Sequence, residues 1–510
     1  MSTFPSQRAS FNNPATPPPV RAGRERLAFN LGTGSTVPSR SVVEAAIASE
    51  ARPTFATAAW AEPRDWGYRG LVAFTAVLLL RPQDQIPGLK SMHIAEICAI
   101  LGIAPMLLHR FAHRLPVFRI TPETFGLMFF GLVMLATAPF SVWPGGVIGV
   151  FTDYYLKLVI VFVLMMNTLT TPKRLEQLTW LIVVSCGYVA GRAVFDYARG
   201  VNLVEQGRVA GAISGLFGNP NDLALNMVTF MPAAVVVAMA RHSSPLKRAT
   251  AAAIAVLMLA AIVFTKSRGG ALGLLAMIGS LVLLGRKVRP GFGIIAVCAT
   301  LGAMPFMPSS FWTRMESIVN DDLDKKQFTG SSEARRMLMQ EGIDAFLEFP
   351  LTGIGAGQFK NYNPPQRKER WRETHNVLIQ VAAETGIFGL AAFVFLIVRA
   401  ALSAAAARRM LARPKKDRGD PLRLVMSEAD RRSLYTHSVA MTAGLIGWFV
   451  CALFASVAYN WTFYYLLALI VADRELTRDR LAAGRAIEAQ AKGISIPSAM
   501  FSRGVASGGA

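Results

Sequence analysis

The stretch "RETHNVLIQVAAETGIFGLAAF", residues 372–393, decides how this chain is read. From Val377 onward it is apolar enough to lie in a bilayer. Yet it opens on His375 and Asn376, carries Glu384 inside, and follows a loop rich in Arg and Glu. An apolar run of this kind approaches the ~20 residues that cross the hydrocarbon layer. A soluble core helix would alternate its faces instead.

Working outward, the same texture recurs along the chain. Of 510 residues, 53% are hydrophobic and only 17% charged, with a mean hydropathy of +0.38. Twelve apolar segments follow one another, near 67–80, 93–108, 124–141, 147–166, 176–195, 222–240, 249–265, 270–285, 291–307, 376–399, 436–456 and 460–473. The fold class is therefore all-α, a polytopic membrane protein of about 12 transmembrane helices with one large, partly helical outer loop. The net charge of +21 would suggest nucleic acid on a soluble protein. Here Lys and Arg are better explained as the charges that hold loops in the cytoplasm, and no nucleic-acid partner is expected.

The loops fix the expected orientation. With the N-terminus inside, the cytoplasmic connections are "HRFAHRLPVFR", "TPKR", "RHSSPLKR", "GRKVRP" and "RRMLARPKKDRGDPLR", and the tail begins "DRELTRDRLAAGR"; all are basic. The short outer loops "PFSVWPGG", "TKSRGG" and "AYNWT" carry few positive charges or none. Both termini are expected in the cytoplasm. Residues 1–62, rich in Ser, Pro and Arg with no signal-like apolar run, read as a disordered tail. Residues 63–475 read as the transmembrane domain, including an outer loop domain over 308–375, and residues 476–510 as a second cytoplasmic tail. Within the outer loop, "SSEARRMLMQEGIDAFLEF" has helical spacing, with Ser331 or Ser332 placed to cap it.

That face collects the residues with chemistry. Arg208 lies in "EQGRVAGAISGLFGNPND", Arg268 in "FTKSRGG", Arg335 and Arg336 in the long loop, and His375 at the mouth of the tenth segment. Guanidinium groups stay charged and bind phosphate oxygens in a fork. Short outer loops here otherwise avoid positive charge, so Arg208 and Arg268 point to an anion; an ordinary snorkelling helix end is the alternative for Arg268. Histidine suits proton transfer near neutrality, though a lone His can also be an interface residue. Asn219 and Asn221 are candidate donors to a sugar beside a turn. Glu384, nine residues beyond His375, lies about 13 Å along a helix axis and reads as an interhelical hydrogen-bond group. "GIGAGQF" lacks the strand and Lys of a phosphate loop and reads as a tight turn, an anion at its amides being the lesser reading. Cys98, Cys186, Cys298 and Cys451 all lie in apolar segments without metal or redox spacing, and no metal is expected.

At these residues the chain resembles a known family. "THNVLIQVAAETGIFG" is similar to the pattern of the O-antigen ligase and polymerase superfamily, a His and an Asn, nine residues, then Gly-x-x-Gly: His375, Asn376, Gly386 and Gly389. "GRVAGAISGLFGNPNDLA", "FTKSRGGALG" and "SSEARRMLMQEGIDAFLEFPLTGIGAGQF" resemble its other blocks, and the likeness covers roughly residues 65–475. It implies an inverting, metal-independent glycosyltransferase of the bacterial inner membrane, needing no cofactor and working at the periplasmic face. The implied donor is a glycan on undecaprenyl pyrophosphate, and the acceptor lipid A-core or another glycan. His375 corresponds to the histidine that activates the acceptor hydroxyl. Arg208, Arg268 and, less directly because Arg336 adjoins it, Arg335 match arginines around the pyrophosphate. Asn219, Asn221 and Asn376 are candidate glycan contacts. A ligase is the leading expectation in lipopolysaccharide biosynthesis, because the His-Asn block is intact. A polymerase of O-antigen or exopolysaccharide is the runner-up, and a transporter or flippase, or a non-catalytic assembly protein, the readings from other classes.

Overall fold

The structure, a computed structural model, describes residues 65–492 apart from 87, 90–91, 93, 113–118, 213–216, 241–242, 287–301, 303–304, 306, 318–330, 365–371 and 415–418. The expected tail over 1–62 and most of the expected span 291–307, with Cys298, lie outside the described residues.

The fold is all-α. In chain order the helices are α1 (Trp66–Leu80), α2 (Ile94–Ala112), α3 (Pro122–Thr137), α4 (Pro144–Thr168, with a π-helical stretch at Phe151–Tyr155), α5 (Pro172–Ala198), α6 (Pro220–Met239) and α7 (Pro245–Thr265). They continue with α8 (Arg268–Gly285), α9 (Ser309–Glu316), α10 (Ser331–Glu348), α11 (Val377–Leu411), α12 (Glu428–Ala452) and α13 (Trp461–Ala491). Among the described residues, nine helices are long and apolar enough to cross a membrane. α13 carries helix well past residue 475, through much of the stretch expected as tail.

Local sequence explains where the spans begin. α3, α5, α6 and α7 each start at Pro, preceded by Thr121, Thr171, Asn219 and Ser244, whose side chains accept from the first-turn amides. Pro loses nothing at N1, because that amide has no partner inside a helix. α11 and α12 form the centre. α11 packs on α3, α10, α12 and α13, while α12 packs on α6 and α8. Trp448, Phe463, Phe393, Phe130 and Tyr155 fill the space between them, with Trp448 and Phe463 stacked at 4.5 Å.

One end of the bundle is tied by ions. Glu123 of α3, fully buried, receives both arms of Arg474 at 2.8 and 2.9 Å, Arg399 at 3.0 Å and the Ser403 hydroxyl at 2.8 Å. Arg119 binds Glu475 and Asp479, Arg413 binds Glu428, and Lys247 binds Glu176. These pairs gather the basic connections between spans at one end. Arg399 lies 22 residues along α11 from Val377, about 33 Å at 1.5 Å per residue. His375 and its neighbours therefore belong to the opposite end.

Candidate functional site

Arg208 is held by a short hairpin between α5 and α6. β1 (Leu203–Val204) pairs antiparallel with β2 (Arg208–Val209), and the turn between them uses left-handed backbone at Gln206 (φ 62°) and Gly207 (φ 64°). The Arg208 side chain turns inward and is 8% exposed. Its Nε donates to the Thr265 carbonyl at 2.9 Å and its Nη2 to Asn221 Oδ1 at 2.8 Å. Thr265 ends α7, so the guanidinium caps an orphan carbonyl at the negative end of a helix dipole. Asn221 Oδ1 also accepts from the Ser267 hydroxyl at 2.8 Å, and Ser267 caps α8, whose first residue is Arg268. One amide oxygen thus ties the hairpin to the α7–α8 turn.

That turn adds cations which the sequence reading passed over. Lys266 sits at φ 47°, and its ammonium donates to the Gln206 carbonyl at 3.0 Å. Arg314 of α9 donates to the Gln206 side-chain oxygen. Arg208 is pulled down to about 10, first by burial, then by the charges of Arg335 and Arg268, with Glu205 opposing. It remains protonated at neutral pH. Lys266 is pulled down by burial and by Arg314 and Arg208. Arg208, Lys266, Arg268, Arg314 and Arg335 therefore form one electrostatically linked cluster.

His375 opens α11 from a strained turn, with φ 52° in the left-handed region. Its amide donates to Ser456 Oγ at 3.0 Å, and Thr374 Oγ1 lies 3.1 Å from the same hydroxyl. Asn376 caps α11, accepting from Leu378 and Ile379, while its Nδ2 donates to the Leu453 carbonyl at 3.2 Å. The connection between α12 and α13 thus holds the whole Thr-His-Asn turn. The imidazole is half-buried, and its pKa falls to about 4 through burial, then Arg335, then Arg372. It is neutral at physiological pH, with a ring nitrogen free of protonation, and a weaker base than an ordinary histidine. Two carboxylates stand nearby that the sequence reading did not single out. Glu373 is exposed, and neighbouring protein raises its pKa. Asp222, in the first turn of α6, lies within electrostatic reach of it.

Arg335 arrives on α10, which runs directly into the glycine loop. α11 is not continuous: Gly386 adopts φ 64°, ψ −166°, and the loop docks at the break. Ile354 N and Gly355 N donate to the carbonyls of Ala383 and Glu384 at 2.9 Å each, and Ile387 N donates to Pro350 O at 2.8 Å. A Cβ on Gly386 would stand 2.5 Å from the Leu351 oxygen, and one on Gly353 2.5 Å from the Glu384 carbonyl carbon, so neither position admits a side chain. "GIGAGQF" is a tight turn, and two of its amides are taken within the chain: Gly357 N and Phe359 N donate to the Glu384 carboxyl oxygens at 2.9 and 3.2 Å. Glu384 thus bonds a loop across the helix break, where the sequence suggested an interhelical partner.

The structure accordingly places Arg208, Arg268, Arg335 and His375 at one end, with the charge of Arg335 acting on both Arg208 and His375. The three asparagines have bonds of their own. Asn219 Oδ1 caps α6 by accepting from Asn221 N at 2.8 Å, Asn221 Oδ1 holds Arg208, and both ends of the Asn376 amide are engaged within the chain. Among the described residues, a cavity of about 590 Å³ including its mouth lies elsewhere, between α5, α6 and α12 beside Lys247 and His437. His437 bonds Thr179 and Asp473 there, and Leu453 is 16 residues farther along the chain, about 24 Å if all were helical. That cavity belongs to the opposite end.

No curated protein matches the chain. Residues 253–394, from α7 into α11 and including Arg268, Arg335 and His375 but not Arg208, match the O-antigen ligase family model. The match supports a membrane enzyme of the O-antigen ligase and polymerase type and bears out the resemblance to the O-antigen ligase superfamily.

Proposed function

We propose that the chain transfers a glycan from undecaprenyl pyrophosphate to an acceptor hydroxyl, in the manner of an O-antigen ligase, at the periplasmic face of the bacterial inner membrane. The observation that supports this reading is the buried Arg208, tied through Asn221 and Ser267 to the turn that presents Arg268, at the same end as the His375 turn. The acceptor oxygen attacks the anomeric carbon as the bond from that carbon to the phosphate oxygen breaks. The pyrophosphate leaves with the bonding pair, and its growing charge is met by Arg208, Arg268 and Arg335. Fixed cations at a partly desolvated rim stabilise such charge without reorganising. His375, neutral before the reaction, accepts the proton from the acceptor hydroxyl as the new bond forms. The same fixed charges are why we propose a metal-independent reaction. The basic connections gathered at the opposite end support this orientation.

The test is transfer by purified protein in liposomes carrying a lipid-linked glycan, with lipid A-core offered as acceptor. His375→Ala should lose about 100-fold or more, the low end of general-base effects. Full transfer by His375→Ala would reject the reading. Growth of the lipid-linked chain without transfer to lipid A-core would make the protein a polymerase.

A further inference from the structure

The break in α11 is bridged by a side chain as well as by backbone. Glu384 is 2% exposed, and its two oxygens accept the amides of Gly357 and Phe359. Gln380, one turn earlier on α11, reaches Glu384 Oε2 with its Nε2 at 3.5 Å and accepts the Ala458 amide with its Oε1 at 3.1 Å. Ala458 is two residues from Ser456, which accepts the His375 amide. Tyr459 is half-buried beside the Glu384 carboxyl group. The carboxylate is therefore a junction of three segments. One is the glycine loop that continues α10, the helix of Arg335. The second is α11, whose mouth is the His375 turn. The third is the α12–α13 connection that holds the turn in place.

We propose that Glu384 is a positioning residue that fixes Arg335 relative to His375, so that the group meeting the leaving phosphate and the group taking the acceptor's proton keep one separation. This rests on the transferase reading. A side chain is needed because Gly386 removes regular helix at this point, and the loop amides facing the break require an acceptor. A carboxylate supplies two acceptor oxygens for two amides. Glutamine would keep the shape but turn an N–H₂ toward one of them.

Glu384→Gln should lower transfer by about 10- to 100-fold, as expected when a reacting group is displaced by around an ångström. A merely structural loss would multiply with any other defect. A loss that acts through Arg335 should not, so in an Arg335→Gln background Glu384→Gln should cost less than about threefold more. Hydrogen exchange read by mass spectrometry should accelerate about tenfold or more across residues 350–359 in Glu384→Gln, and remain as in wild type in α6. Multiplicative losses in the double variant, or unchanged exchange over 350–359, would overturn the proposal. If Glu384→Gln does not yield monodisperse protein, Gln380→Leu, which cuts the tie to Ala458, carries the same comparison. A wild-type protein without transfer activity would reject the transferase reading instead, and exchange over 350–359 would still decide whether Glu384 holds the loop.

Discussion

Replacing Arg335 by Gln should move the acid limb of the pH profile to higher pH. In the wild type, burial and two nearby cations hold His375 at about 4, against an ordinary 6.5. Both influences penalise the imidazolium and leave the neutral ring, which is the form that can accept a proton. Transfer should therefore be flat with respect to this group from neutrality down to about pH 5, and fall as pH drops through about 4. The contribution of Arg335 can be bounded. Burial is the largest cause and Arg335 the second, so Arg335 accounts for at most half of the displacement. Arg335→Gln should then move the midpoint above that of the wild type but short of the ordinary histidine value, and Arg372→Gln, the smaller cause, should move it less. The assay is kcat/KM for transfer in liposomes between pH 4 and 8, each variant scaled to its own plateau, because on the proposed function Arg335→Gln should also weaken donor binding. The order wild type, Arg372→Gln, Arg335→Gln is the signature. A wild-type midpoint near 6.5, or an Arg335→Gln midpoint at or below that of the wild type, would refute the placement of Arg335 beside the imidazole.

Three further outcomes are expected. Arg268→Lys should lose about tenfold or more in transfer even though charge is retained, because a point charge does not replace a fork on two phosphate oxygens; initial rates at limiting donor measure it. Gly386→Ala should destabilise the fold by about 1–3 kcal/mol or more, because φ is 64° and the new Cβ would meet the Leu351 oxygen at 2.5 Å; a thermal shift in detergent reads this. Glu123→Ala should cost about 3–5 kcal/mol, since it strands Arg474 in a buried site, and should appear as a lower melting temperature and poorer yield of folded protein.

The helices were legible because hydrophobic length is the strongest signal a membrane chain carries. Eleven of the twelve apolar segments correspond to described helices, and the remaining one falls largely outside the described residues. The ends were less legible. The segment read as 176–195 runs over Pro172–Ala198, and the one read as 376–399 continues to Leu411. Lys173 and Arg174, or Arg408 and Arg409, lower the local hydropathy without ending the helix, since charges at a span's end reach water along their own stems. The break at Gly386 left no trace in hydropathy. A glycine inside an apolar run is compatible with unbroken helix, and what bends the backbone here is a loop some thirty residues earlier.

At the site, the sequence exposed residues that violate a local rule and hid those that obey one. Arg208 and Arg268 stood out because outer loops avoid positive charge, and His375 because a polar ring opens an apolar helix. Lys266 adjoins Ser267 and Arg268 in a turn already quoted for its arginine, and only the fold shows its ammonium on the carbonyl of Gln206. Glu373 reads as one more charge in a charged loop until Asp222 faces it. Asn376 illustrates the opposite case: its place beside the histidine suggests a ligand contact, yet its oxygen caps two amides and its nitrogen holds Leu453. That arrangement explains how His375 keeps a backbone conformation that a residue with a side chain rarely adopts. Thr374 and Asn376 on either side, and the His375 amide itself, are all fixed to the segment after α12, so the left-handed backbone is confined to His375 and held from both sides.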